Sequence, residues 1–275
     1  MRFTREQCLE RLHKTVSEGK AIIGAGAGMG ICAKCEDKGG ADLIIIYNTG
    51  RYRMAGRSSM AGAMPFGDAN GMILEMAGEI LPMAPNTPVV AGVCVHDPFR
   101  FMDRFLRELI DLGFSGIQNY LTVGLIDGVW RQWMEQGGMT YDAEVELIAM
   151  AHKMDLLTTP YVFDEEQAIK MAKAGADILV AHVGATRGGL TGFQAGTLDE
   201  AAEKIQRMRN AAKSVNPDIL VICHGGPIAE PEDAQYIMDH TEGVVGFYGA
   251  SAIERIPIER ALTEHVRKYK EIKLS

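Results

Sequence analysis

The chain has 275 residues, 47% hydrophobic and 23% charged, with 31 Gly and 10 Pro. That is the composition of a globular protein with a sizeable core, and it excludes disordered and fibrous classes. Acids outnumber bases 36 to 28, for a formal charge of −8, and no Lys/Arg-dense segment appears, so no nucleic-acid partner is expected.

The opening MRFTREQCLERLHK lacks an apolar centre, and the uncharged stretch from Ala21 to Ala33 is too short and Gly-rich to span a bilayer. A cytoplasmic protein with no membrane partner is expected. Five Cys form no disulfide framework, and the Cys32/Cys35 pair has no second pair to complete a zinc site, so mostly buried, reduced thiols are expected.

After an N-terminal helix, short apolar runs bounded by Gly, Pro or Asn recur: AIIGAG from Ala21, DLIIIY from Asp42, PVVAGVCV from Pro88, FSGIQN from Phe114, LLTTPYV from Leu156, DILVAHV from Asp177, ILVICH from Ile219 and VVGFYG from Val244. Helical periodicity follows each. Met102, Phe105, Leu106 and Leu109 keep one face before a stop at Gly113, and Leu147, Met150, Ala151 and Met154 repeat the spacing. Thr197 with Glu200 reads as a capping box, and Asp164 with Gln167 as a looser one. Eight buried parallel strands alternating with helices predict a single TIM (β/α)8 barrel over residues 1–275, with the N-terminal helix closing its bottom.

Two connections exceed what a barrel needs. Residues 48–70, rich in Gly, Met and Arg, read as a long loop able to act as a lid. Residues 120–140 hold a helix-like piece with both tryptophans, read either as a subunit interface or as packing over the barrel top.

In such barrels the chemistry sits just after the strands. GRYRMAGR places Arg51, Arg53 and Arg57 after the second run with no acid among them, the pattern of an anion site. His224-Gly225-Gly226 and Gly249-Ala-Ser251 follow the seventh and eighth runs, where glycines and a helix start favour phosphate or carboxylate. His96, His182 and His224 end the third, sixth and seventh runs, and one of them is expected to move protons. Asp97-Pro98 reads as an ordinary helix start or as a carboxylate at the mouth, with Asp68 and Glu254 as further rim acids. No dense acidic cluster accompanies them, so metal use stays open. GAGAGMG fails as a dinucleotide loop in the frames led by Gly24 and Gly26, because Met29 and Ile31 stand where Gly or Ala is required. No nucleotide cofactor is expected.

Long stretches of the chain, among them IIGAGAGMG, YNTGRYRMAGR, AGVCVHDPFRFMDRF, CHGGPIAEPEDAQY and GFYGASAIER, resemble the phosphoenolpyruvate hydrolase-like family. That family is also described as indole-glycerol-phosphate-synthase-like, and it forms the C-terminal half of plant tobamovirus-resistance proteins. The resemblance implies a barrel of the phosphoenolpyruvate/pyruvate type. It also implies a hydrolase or lyase that cleaves a C–C or P–O bond of a small anionic α-keto acid or enol phosphate through an enolate-like state, often with Mg2+. Carried over by motif, Asn48, Arg51, Arg53, Asp97, Gln118, Asn119, His182, His224, Gly225, Gly226, Ser251 and Glu254 match the family's pattern. A homo-oligomer is expected by analogy. The alternative is a catalytically silent ligand-binding module working with a partner protein that corresponds to the N-terminal half of the resistance proteins.

Overall fold

Each apolar run becomes one strand position of a parallel sheet. In the computed structural model, which describes residues 2–274, the strands are β1 (Ile22–Gly26), β2 (Leu43–Ile46), β3 (Val89–Val93), β4 (Gly116–Asn119), β5 (Leu157–Thr158), β6 (Tyr161–Val162), β7 (Ile178–His182), β8 (Leu220–His224) and β9 (Gly246–Gly249). Their order is β5-β4-β3-β2-β1-β9-β8-β7-β6. The two end strands are halves of the single run LLTTPYV, interrupted where Pro160 brings no N–H to the ladder. Thr159 N–H still donates to the Ile117 carbonyl at 3.0 Å, and the Pro160 carbonyl accepts from Val180 N–H at 2.9 Å. The sheet therefore meets itself through this broken strand, and the fold is a TIM barrel.

Around it lie α1 (Arg5–Ser17), α2 (Gly30–Gly39), α3 (Asn48–Met54), α4 (Ala69–Ile80), α5 (Met102–Leu112), α6 (Gly128–Gln136), α7 (Tyr141–Lys153), α8 (Glu165–Lys173), α9 (Leu198–Lys213), α10 (Pro231–Asp239) and α11 (Ile256–Lys270). The local signals act as the spacing predicts. Phe105, Leu106 and Leu109 of α5 are buried and Gly113 ends the helix at φ 111°. Thr197 and Glu200 form both bonds of a capping box on α9. Arg5 on α1 binds Asp177, which precedes β7, and Thr15 binds Asp42, which precedes β2, so α1 lies across the N-terminal ends of the strands.

The expected long loop at 48–70 is mostly helical: α3 begins at Asn48, and Ser59–Ala63 forms a further 3-10 turn. Tertiary contact drives this. A Cβ on Gly28 would stand 2.2 Å from the Gly50 carbonyl oxygen, so α3 packs directly on the backbone after β1. Asp97 does not cap a helix either. Its carboxylate accepts from Phe99 N–H, and α5 starts only at Met102. Among the described residues no helix is long and apolar enough to cross a membrane.

Inside the barrel, glycines of β1 and β3 face rings from their neighbours. A Cβ on Gly24 would lie 2.1 Å from Tyr248 Cδ2, and one on Gly92 2.5 Å from Tyr47 Cβ. Because Tyr248 is fully buried, its ring has no space to retreat. Gly24→Ala is expected to destabilise the fold by roughly 1–3 kcal/mol through overpacking, read as a lowered urea midpoint at unchanged slope.

Candidate active site

At the C-terminal mouth the strands enclose a cavity of about 60 Å3, with Arg53, Tyr120, Tyr161, His182, His224 and Ser251 in its wall. Alternation along each strand explains the set. Tyr248 and Gly24 face each other across the interior, so Phe247 and Gly249 point outward, and a Cβ on Gly249 would meet Phe247 and Ile253. The same parity turns Tyr47, Tyr120, Tyr161, His182 and His224 inward.

The two histidine rings lie with centroids 4.5 Å apart, tilted by 54°, and the backbone fixes their tautomers. His182 Nδ1 accepts from Gly184 N–H at 3.0 Å, so its proton sits on Nε2. His224 Nδ1 faces the Tyr248 carbonyl, which only accepts, so His224 donates from Nδ1 and keeps a lone pair on Nε2. One ring thus offers a donor and the other an acceptor. Burial lowers the pKa of both. His224 is pushed down to about 4 by desolvation, which the Tyr248 carbonyl opposes and Arg53 reinforces. His182 falls well below its ordinary value through desolvation, His224 and Lys204. Both are neutral near pH 7.

Arg53 donates from Nε and Nη2 to Glu254 Oε2 at 2.9 and 2.7 Å. The two side chains are 1% and 0% exposed, which makes this a buried ion pair. Glu254 also accepts from Gly28 N–H. Behind it, burial pushes Glu36 up to about 8, with Glu254 adding to the rise and Arg53 opposing it. The remaining polar wall is hydroxyl: Thr49 and Tyr120 meet at 2.7 Å, and Ser59 and Ser251 at 3.3 Å.

Of the residues singled out in the sequence, Arg53, His182, His224 and Ser251 come together here. The others do not line the cavity. Arg51 reaches Glu79 at 3.5 Å on the outer side of α3, and Arg57 is exposed. Asp97 is held by Arg100 and Asn70 beside Asp68, in a separate open cleft of about 830 Å3. Asn119 points outward to Glu144, and the Asn48 amide donates to the Gly62 carbonyl. Gly225 and Gly226 form a positive-φ turn whose backbone is bonded to Gly184 and Arg187. Glu254 faces a cation and so repels an anion. Gln118 is fully buried with neither amide atom partnered; parity with Tyr120 places it in the barrel interior.

His96 stands 3.5 Å from buried Glu144, away from the cavity. The tryptophans are 62% and 60% exposed and pack on each other, not over the barrel top. Cys35 is exposed, unlike Cys8, Cys32 and Cys223. Sequence reasoning missed Tyr47, Thr49, Tyr120, Tyr161, Thr186 and Phe193, which also line the cavity. Strand parity marks the tyrosines once one inward residue is known; Thr186 and Phe193 sit in an irregular loop with no such signal. A third glycine frame, Gly28-x-Gly30-x-x-Ala33, does fit the dinucleotide pattern. Its N–H groups, however, are taken by Glu254 and Glu79.

Magnesium finds no matching set. Among the described residues no three His, Cys, Asp or Glu side chains converge. Mg2+ needs oxygen ligands that include free carboxylate, and the carboxylate beside the cavity already serves a guanidinium.

The chain is thus a TIM barrel with a buried histidine pair and an arginine at the C-terminal mouth, the end at which this fold carries its sites. Residues 7–272 match the phosphoenolpyruvate hydrolase-like family model, and the chain belongs to that family. It is 54% identical over 271 residues to the ToMV resistance protein Tm-1 of tomato (Solanum lycopersicum), covering 98% of this chain and 36% of that protein. It is 31% identical over 253 residues to a putative transcriptional regulatory protein of Sinorhizobium fredii, covering 91% and 41%. The chain thus spans well under half the length of these curated relatives. Among solved structures, phosphoenolpyruvate phosphomutase from Streptomyces platensis subsp. rosaceus superposes with TM-score 0.61 at 14% identity over 94% of this chain and 86% of that one. A 2,3-dimethylmalate lyase of the PEP mutase/isocitrate lyase superfamily gives 0.60 at 14% over 98% and 88%.

Two outcomes follow from the geometry. Histidine 15N spectra should show His224 as the Nδ1–H tautomer and His182 as Nε2–H. An unfolded His takes its proton near 6.5 while native His224 stays neutral down to about 4, so the unfolded state binds more protons between those values. The native state therefore loses stability as pH falls through that window, and His224→Gln should flatten the slope in urea titrations. Separately, Glu254→Gln leaves the Arg53 charge buried without its counterion and should cost about 3–5 kcal/mol. The double variant Arg53→Met/Glu254→Leu should recover most of that in the same unfolding assay.

Proposed function

We propose that the protein is an enzyme that binds a small anionic α-keto acid or enol phosphate and acts on it through an enolate-like state, as a lyase or hydrolase. The observation that carries this reading is the histidine pair of opposite hydrogen-bonding sense beside Arg53 in the cavity at the barrel mouth. The hydroxyls of Thr49 and Ser251, beside the Arg53–Glu254 pair, orient the carboxylate. The His224 Nε2 lone pair takes a proton from the carbon next to the carbonyl, and the His182 Nε2–H group donates to the oxygen that gains charge. An anion beside His224 favours its protonated form and so draws its low pKa back toward neutrality when the guest arrives. The aromatic wall of Tyr120, Tyr161 and Phe193 keeps water out. Family membership and the superposed lyase and mutase barrels support the acid-handling class.

A second reading has its own support. The relatives are named for virus resistance and transcriptional regulation, and each is much longer than this chain. On that reading the barrel is a ligand-binding module that works with a partner corresponding to the rest of those proteins. The exposed stripe Leu262, Val266 and Tyr269 on α11 and the exposed tryptophans of α6 favour association with another chain, including a second copy in a homo-oligomer of the cytoplasm.

A melting screen over keto acids and enol phosphates, with NMR of the best hits for product, separates the two readings. A ligand at a hundred times its Kd should add about 2.7 kcal/mol of stability. Under the enzyme reading His224→Gln and His182→Gln keep that stabilisation and lower turnover by roughly 10²-fold to 10⁴-fold. Ligand stabilisation with no product from the wild type would establish the module instead.

A further inference from the structure

The charge balance of the cavity narrows the guest further, given the acid-binding reading above. Its wall holds one cation, Arg53, and that charge is matched by Glu254 at 2.7 Å. Both histidines are neutral, and burial keeps Tyr120 and Tyr161 protonated. Arg51 and Arg57, the charges that would have met a second anionic group, lie outside. Lys204, whose charge reaches His182, sits on α9 and is absent from the wall, and Arg187, next to the wall residue Thr186, is paired with Asp233. The cavity is therefore formally uncharged. What it offers an anion is the set of neutral donors Thr49, Ser59, Ser251, Thr186 and His182.

We propose that the guest is a short monocarboxylic acid with a 2-oxo or 2-hydroxy group, held without a phosphate site and without a divalent cation. One carboxylate can be met by oriented hydroxyls and the His182 N–H. A second or third negative charge would be buried with no counter-charge, which the interior disfavours strongly. A divalent cation cannot make up the difference, because the Glu254 carboxylate is engaged by Arg53 and Gly28, and the guanidinium itself repels Mg2+. The oxygen on the second carbon finds both hydrogen-bonding senses, a donor at His182 Nε2 for an oxo group and an acceptor at His224 Nε2 for a hydroxyl.

The test is isothermal titration of the full chain near pH 7.5 with pyruvate, 2-oxobutyrate and glycolate against oxaloacetate and phosphoenolpyruvate, each with millimolar MgCl2 and again with EDTA. The monocarboxylates should bind with a Kd unchanged by EDTA, and the multiply charged acids about tenfold or more weaker. Glu254→Gln, which leaves Arg53 uncompensated, should shift preference toward oxaloacetate; should that variant not fold, the wild-type panel alone decides. Tighter binding of oxaloacetate or phosphoenolpyruvate, or binding that vanishes in EDTA, would overturn this inference while leaving the acid-binding reading intact. Binding of none of these acids would overturn that reading itself.

Discussion

Arg53 and Glu254 form an ion pair sealed from water between the helix that follows β2 and the turn that follows β9. It spans the end of β1, whose Gly28 N–H supplies a third bond to the same carboxylate. Three consecutive strand positions are thereby locked at the mouth, and neither partner can leave without stranding the other's charge in a dry interior. The pair also sets the electrostatics of the cavity. An arginine that reads in the sequence as a free anion clamp is already neutralised, and its field lowers His224 further.

Below the mouth, the barrel interior combines aliphatic residues such as Leu43, Ile45, Val90, Val180 and Ile222 with glycines set against tyrosines. Gly24 on β1 faces Tyr248 on β9 and Gly92 on β3 faces Tyr47 after β2, so a methyl group at Gly24 would collide with a ring and one at Gly92 with the Tyr47 Cβ. The glycine-rich run after residue 23 therefore has a packing origin more than a ligand-binding one. The rings it accommodates carry hydroxyls into the interior, where Tyr120 pairs with Thr49. This adds hydroxyl groups to a cavity wall that also holds Met60, Leu125 and Phe193.

The relatives agree on the architecture and diverge on use. Barrels that superpose at 14% identity share the fold and little of the sequence, because many apolar residues satisfy a buried parallel strand. Function resides in the few side chains at the strand ends. There this chain presents histidines, tyrosines and one compensated arginine, with no group of converging metal ligands among the described residues.

The sequence by itself determined the barrel: eight apolar runs, their helical partners, and the stops and caps at Gly113 and Thr197 are local or periodic signals that no tertiary contact reverses. It also placed His182, His224, Arg53 and Ser251 at the correct ends of strands. It did not determine which strand-end residues share a space. Arg51 and Arg53 are two residues apart, yet on a helix that separation turns them to different sides, and only the packing of α3 against β1 makes the segment helical. Asp97 and Asn119 sit at strand ends as legibly as His224, but face Arg100 and Glu144 outside the ring. Pairing of Arg53 with a carboxylate 201 residues away, and the tautomers fixed by the Gly184 and Tyr248 backbone, exist only once the sheet has closed on itself.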